Sequence, residues 1–129
     1  WRLLVQRQDS YSADDMKVTV EGERLRRIGK DIASTATHAA SIGMMRFAGK
    51  GAAALQRVLE EAVRGEEALG SFYLDCVQRL ADGGVEVLCQ DVGALPWVDI
   101  DTPQELQWVR QSLGIFETSV GRISQRGQA

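Results

Sequence analysis

The sequence predicts an α/β domain, a mixed sheet with flanking helices. Three observations carry this. Residues 17–28, KVTVEGERLRRI, alternate around Gly22 in the pattern of a β-hairpin. Residues 51–65 and 71–84 each place their apolar side chains at helical spacing. An apolar, β-branched run, VEVLCQDV (85–92), follows the two helices directly.

In chain order, Leu3 and Val5 alternate with Arg2, Leu4 and Gln6, a short strand. QDSYSADD (8–15) is polar and reads as a loop. In the hairpin, Val18 and Val20 face one way and Lys17 and Thr19 the other, and Gly22 supplies the positive φ of the turn. DIASTATHAAS (31–41) is small and polar with no period, a second loop. SIGMMRFAG (41–49) is a short apolar strand, in which Gly43 marks a bulge or a close backbone approach. Leu55, Val58, Leu59, Ala62 and Val63 form one face of the first helix. Tyr73, Cys76, Val77, Leu80 and Ala81 do so in the second, with Ser71 as its cap and Gly83-Gly84 as its stop. VEVLCQDV reads as a central strand, and a last strand runs through residues 97–100. In TPQELQWVRQSLG, Thr102 is the N-cap, Pro103 sits at the first helical position and Glu105 completes a capping box. Gly114 ends this third helix, so residues 1–114 form the domain and 115–129 a frayed tail.

The 129 residues suffice for one domain. With a net charge of −3, nothing suggests a general nucleic-acid surface, which needs a basic stripe, and no nucleic-acid partner is expected. Arg24, Arg26, Arg27 and Lys30 are a local basic cluster, fit for one small anion. No apolar run approaches the roughly 18 residues of a transmembrane helix, so no membrane partner is expected. Cys76 and Cys89 stand among apolar neighbours, away from any CxxC or histidine. They read as reduced thiols and not metal ligands, which points to a cytoplasmic protein. The chain opens without Met in WRLLVQRQ, too short and mixed for a signal peptide, as if upstream residues had been removed.

PWVDIDTPQEL (96–106) sets Asp99 and Asp101 two apart. In a strand both point to the same face. Paired carboxylates suit a hard divalent cation such as Mg²⁺, and a helix N-terminus with its partial positive charge follows. A plainer reading stays open: Asp101 serves the helix start and Asp99 is a solvated strand residue.

This stretch resembles the closing motif of the nucleotidyltransferase superfamily of sugar-phosphate pyrophosphorylase-like enzymes. That motif is an aromatic residue, an Asp-containing run, Asp-Thr-Pro and a helix. DDMKVTVEGERLRRIGKDI (14–32) is similar to the family's hairpin and the lysine after it, and SIGMMRF (41–47) to its glycine-containing strand. The helix pair and VEVLCQDVG follow in the family's order. The match resembles the acceptor-side, C-terminal half of a Rossmann-like nucleotidyltransferase domain. It is closest to bacterial cytidylyltransferases acting on phosphocholine or aminoethylphosphonate.

The resemblance implies Mg²⁺-dependent joining of an NTP to a phosphorylated small molecule, with release of pyrophosphate. The protein then mainly positions groups and neutralises charge. Asp99 is implied as a metal ligand, with Asp101 its neighbouring candidate. Lys30 is implied as the catalytic, substrate-binding lysine that meets the acceptor's phosphate, and Gly43 as the glycine of the sheet floor under the ligand. A solvated hairpin end and a bulge are the alternatives for these two. His38, the only histidine, would contact a phosphate or stand on a surface loop.

Two features depart from the family pattern. Ala39 and Ala40 stand where members carry an acidic residue that helps hold the acceptor. The Gly-rich triphosphate loop is missing, since Gly49-Lys50-Gly51 lack the strand-to-loop context. The expectation is part of a nucleotidyltransferase, inactive alone, that takes an NTP only with a missing half. An unpaired sheet edge would make it a homo-oligomer. The competing expectation is a non-catalytic oligomeric binding or assembly module that keeps the fold.

Overall fold

The structure, a computed structural model, describes residues 1–65 and 73–117. The chain divides into two compact units, Trp1–Val92 and Gly93–Ala129.

The first unit holds β1 (Arg2–Gln6), β2 (Lys17–Glu21), β3 (Arg24–Gly29), β4 (Ala39–Arg46) and β5 (Leu88–Asp91). They close into a small barrel in the order β1-β4-β2-β3-β5. This corrects the predicted fold class. The sheet is not an open mixed sheet with flanking helices of Rossmann-like kind; it returns on itself. The strands lie close to where their patterns put them, but local periodicity reports which face is apolar and not how far a sheet curls.

Two irregularities supply the curl. Val18 pairs with Ile28 but Val20 with Leu25, so β3 carries an extra residue. That is why Leu25 and Ile28, three apart, are both buried. In β4, Ile42–Met44 stand opposite Leu4 of β1, because Leu3 pairs with Met45 and Val5 with Ser41. Gly43 takes φ 76° at this point. The β2–β3 turn has Gly22 at φ 61°, as the first loop position of a type II′ turn requires.

β5 closes the barrel. It runs parallel to β1, from Arg2 opposite Leu88 to Val5 opposite Asp91, and meets β3 at Arg24. Leu25 N–H donates to Val87 O (2.8 Å) and Cys89 N–H to Glu23 O (2.7 Å) across that seam.

Leu3, Val5, Val18, Leu25, Ile28, Ala39 and Val87 form the core together with Leu74 and Val77 of α2 (Tyr73–Asp82). The buried face of α2 is Leu74, Cys76, Val77 and Leu80, while Tyr73 is 47% exposed. Cys76, Val77 and Leu80 of the expected face are buried and Ala81 packs against the core, but Leu74 and not Tyr73 completes the face. Ser71, its expected cap, lies outside the described residues. By contrast α1 (Lys50–Arg64) buries no residue, and Val63 on its apolar face is 75% exposed.

Lys17, on the face opposite Val18 and Val20 by alternation, is 2% exposed. The loop 31–41 contains a 3-10 turn, Ser34–Ala36, and gives its last residues to β4.

In the second unit Thr102 caps α3 (Pro103–Gln111) with the expected capping box and Pro103 at its start. The helix stops at Ser112, before Gly114. Residues 96–101 form no strand. Of the expected tail, 118–129 lie outside the described residues. Among the described residues, no helix is long and apolar enough to cross a membrane.

Candidate functional site

The chain leaving β1 and the chain entering β4 come together. Ser34 Oγ donates to Tyr11 O (3.0 Å) and ties the two segments. They line an open cleft of about 680 Å³, whose polar groups include Arg7, Asp9, Tyr11, Thr35, Thr37 and His38.

His38 is held twice by β2. Its backbone N–H donates to Val18 O (3.0 Å), and its Nδ1 accepts from Val20 N–H (3.0 Å). With Nδ1 an acceptor, the hydrogen of the neutral ring sits on Nε2, which is left as a donor. Tyr11 OH accepts from Gln8 N–H (3.2 Å), which leaves its own hydrogen for another partner. Thr37 Oγ1 donates to Ala33 O (2.9 Å), and Ser34 donates as above, so these two hydroxyls offer lone pairs. Arg7 is largely exposed, with Nε 3.6 Å from a carboxylate oxygen of Asp91. That spacing in water holds the guanidinium loosely. The cleft therefore offers a cation and neutral donors, with one carboxylate, Asp9, beside them.

A second cavity of about 280 Å³ shares Arg7, Val20 and His38 with the first and adds Arg2, Cys89 and Asp91. Arg2 donates to Gln90 Oε1 (3.4 Å). Burial pushes the Cys89 thiol up to about 11, so it stays protonated near neutral pH and is no nucleophile. Apart from both, Phe47, Ala52, Leu55, Leu59 and Val63 line an apolar groove of about 460 Å³ on α1.

Lys30 follows β3, its ammonium 3.7 Å from Asp14, and lines neither polar cavity. Gly43 sits in the β4 irregularity, and a Cβ added there would meet nothing within 4 Å. Its backbone is that of the bulge alternative, with open space beside it. Asp99 and Asp101 belong to the second unit and are exposed. The same-face argument for them needs a strand, and there is none. Asp101 N–H donates to Glu105 Oε2 (2.9 Å), which makes this residue part of the helix start. As a donor set, two carboxylates still suit Mg²⁺, which keeps several waters and takes few protein ligands.

Arg7, Tyr11 and Thr35 escaped sequence reasoning. For Tyr11 and Thr35 the only signal was the density of hydroxyl and charged residues in loops 8–15 and 31–38, and Arg7, just before the first of these, carried none. Nothing local says that the two loops meet. No family profile matches the chain, and neither a curated protein nor a solved structure does.

Proposed function

We propose that the chain binds a phosphorylated small molecule in the Arg7–Tyr11–His38 cleft and serves as the acceptor side of Mg²⁺-dependent nucleotidyl transfer. One observation supports this most: donors from two separate segments converge on one cleft. A guanidinium matches phosphate oxygens in charge and fork geometry, and His38 Nε2–H and Tyr11 O–H add neutral donors. Asp9, in the same cleft, gives a cationic head group its counter-charge. That favours phosphocholine or aminoethylphosphonate over a purely anionic acceptor.

In this reading the protein's own work is to hold the acceptor phosphate and aim its oxygen. Asp99 and Asp101 of the second unit are the carboxylates that would hold Mg²⁺, and the chemistry such an ion supplies is charge neutralisation. The reading gives this chain acceptor binding alone. Pyrophosphate release from CTP by the 129 residues is not expected.

Calorimetric titration with phosphocholine, with and without Mg²⁺, is the test. Saturable binding should appear, weakened at least tenfold in Arg7→Met, and the heat of a separate Mg²⁺ titration should vanish in Asp99→Ala. No heat at millimolar ligand would end the proposal. Equal binding by Arg7→Met would move the phosphate elsewhere.

A second reading rests on α1. An amphipathic helix with no buried residue favours assembly with another copy of the chain. The unpaired-edge argument no longer supports that, because the barrel closes on itself.

A further inference from the structure

We infer that Lys17 is a positioning residue of this cleft: a buried ammonium that clamps the cleft's loop and never touches the ligand. The inference rests on the reading above, since it concerns the same cleft.

Lys17 is 2% exposed, and Nζ donates to Lys30 O (2.8 Å), Ala13 O (3.4 Å) and Asp15 O (3.4 Å). An ammonium has three hydrogens, and here three carbonyls take them. Nothing is left for a ligand. Among the described residues Lys17 makes no ion pair with a carboxylate. A buried charge without a counter-ion is costly unless every donor is met, so the three carbonyls must stay where they are.

Two of those carbonyls belong to the loop that also carries Asp9 and Tyr11, and the third, of Lys30, directly follows β3. The loop's other bonds mostly close on itself: Ser12 N–H to Asp15 Oδ2 (2.6 Å), Asp15 N–H to Ser12 Oγ (3.2 Å), Gln8 N–H to Tyr11 OH (3.2 Å). They shape the loop but do not fasten it. The Lys30–Asp14 pair does cross to β3, but Asp14 is 98% exposed and water screens it. Lys17 is the buried tie, and the exposed Ser34 to Tyr11 bond joins the same loop to the segment entering β4. With both in place, Tyr11 and Asp9 are set before any ligand arrives, which lowers the cost of binding.

The experiment compares wild type with Lys17→Ala by amide hydrogen exchange and by phosphocholine titration. In Lys17→Ala the Ser12 and Asp15 amides should exchange faster, with the α2 amides unchanged. Phosphocholine affinity should fall at least tenfold. Methylammonium should restore both, saturably, because it fits the vacated carbonyl cage, whereas tetramethylammonium, having no N–H, should restore neither. Unchanged exchange at Ser12 and Asp15 in folded Lys17→Ala overturns the clamp, whatever the ligand does. A wild type that ignores phosphocholine, while exchange still responds to Lys17→Ala, overturns the phosphate reading instead and leaves Lys17 a clamp of the loop alone. Where Lys17→Ala fails to fold, Lys17→Arg carries the same test, since a guanidinium keeps the charge but misfits three converging carbonyls.

Discussion

The carboxylate of Glu105 accepts from the Thr102 hydroxyl (2.8 Å) and from the Asp101 and Thr102 amides (2.9 and 2.7 Å). Glu105 N–H in turn donates to Thr102 Oγ1 (3.2 Å). The Thr102 hydroxyl first, then the two amides, hold the Glu105 carboxyl below its ordinary 4.5. Those donors bind the charged form. Their contribution is therefore complete above the ordinary value and fades as the pH falls through the lowered one. An NMR pH titration of α3 amides should show the helix start loosening only in acid, and Glu105→Gln should flatten that dependence. Thr102→Ala removes the cap at every pH, at about 1 kcal/mol of local helix stability. An α3 indifferent to both changes would mean that the capping box does nothing. This box was legible from four residues because each partner sits within one helical turn of the other. Lys17 was not. Period-two alternation sets it opposite Val18 and Val20, and the carbonyls of Ala13, Asp15 and Lys30 that hold it come from two segments no strand pattern joins.

Between elements, α1 and α2 make a controlled comparison. Both have a clear apolar stripe in sequence, and pattern alone ranks them equally. In the folded chain α2 places Leu74 and Val77 in the barrel core, while α1 leaves Val63 mostly in water. Leu74→Ala should cost about 2–5 kcal/mol by chemical denaturation, whereas Val63→Ala should stay within about 0.5 kcal/mol of wild type. Similar losses at the two sites would mean that α2 does not plug the barrel. Amphipathicity shows that a face seeks cover and leaves open which partner covers it. The same limit hid the cleft. Loops 8–15 and 31–38 looked like ordinary polar connections, because their meeting depends on β1 and β4 being neighbours.

For the whole molecule, closure decides what associates with what. β1 is paired on both sides, by β4 and by β5, and offers no free backbone edge. If copies assemble, they meet through side chains, and α1 is the surface to test. Light scattering should report a dimer or larger species at high concentration, and Leu59→Asp should return it to monomer without loss of fold. A monomer throughout would remove the assembly reading. Closure was the feature least visible in the sequence, since the pairing of Arg2 with Leu88 leaves no trace in any local window.

The parallel β1–β5 seam also sets a clock. Arg2 bonds to Gln90, 88 residues further along, so β1 leaves the ribosome long before the strand that completes it. At about 5–20 residues per second that wait is on the order of ten seconds. Through it β1 and β4 can pair, but the flank of β1 that β5 will cover stays open, with Leu3 and Val5 beneath it. The nascent chain is thus most vulnerable to wrong pairing just before its last strand emerges. A non-local contact of this length also makes refolding slow for a domain of this size.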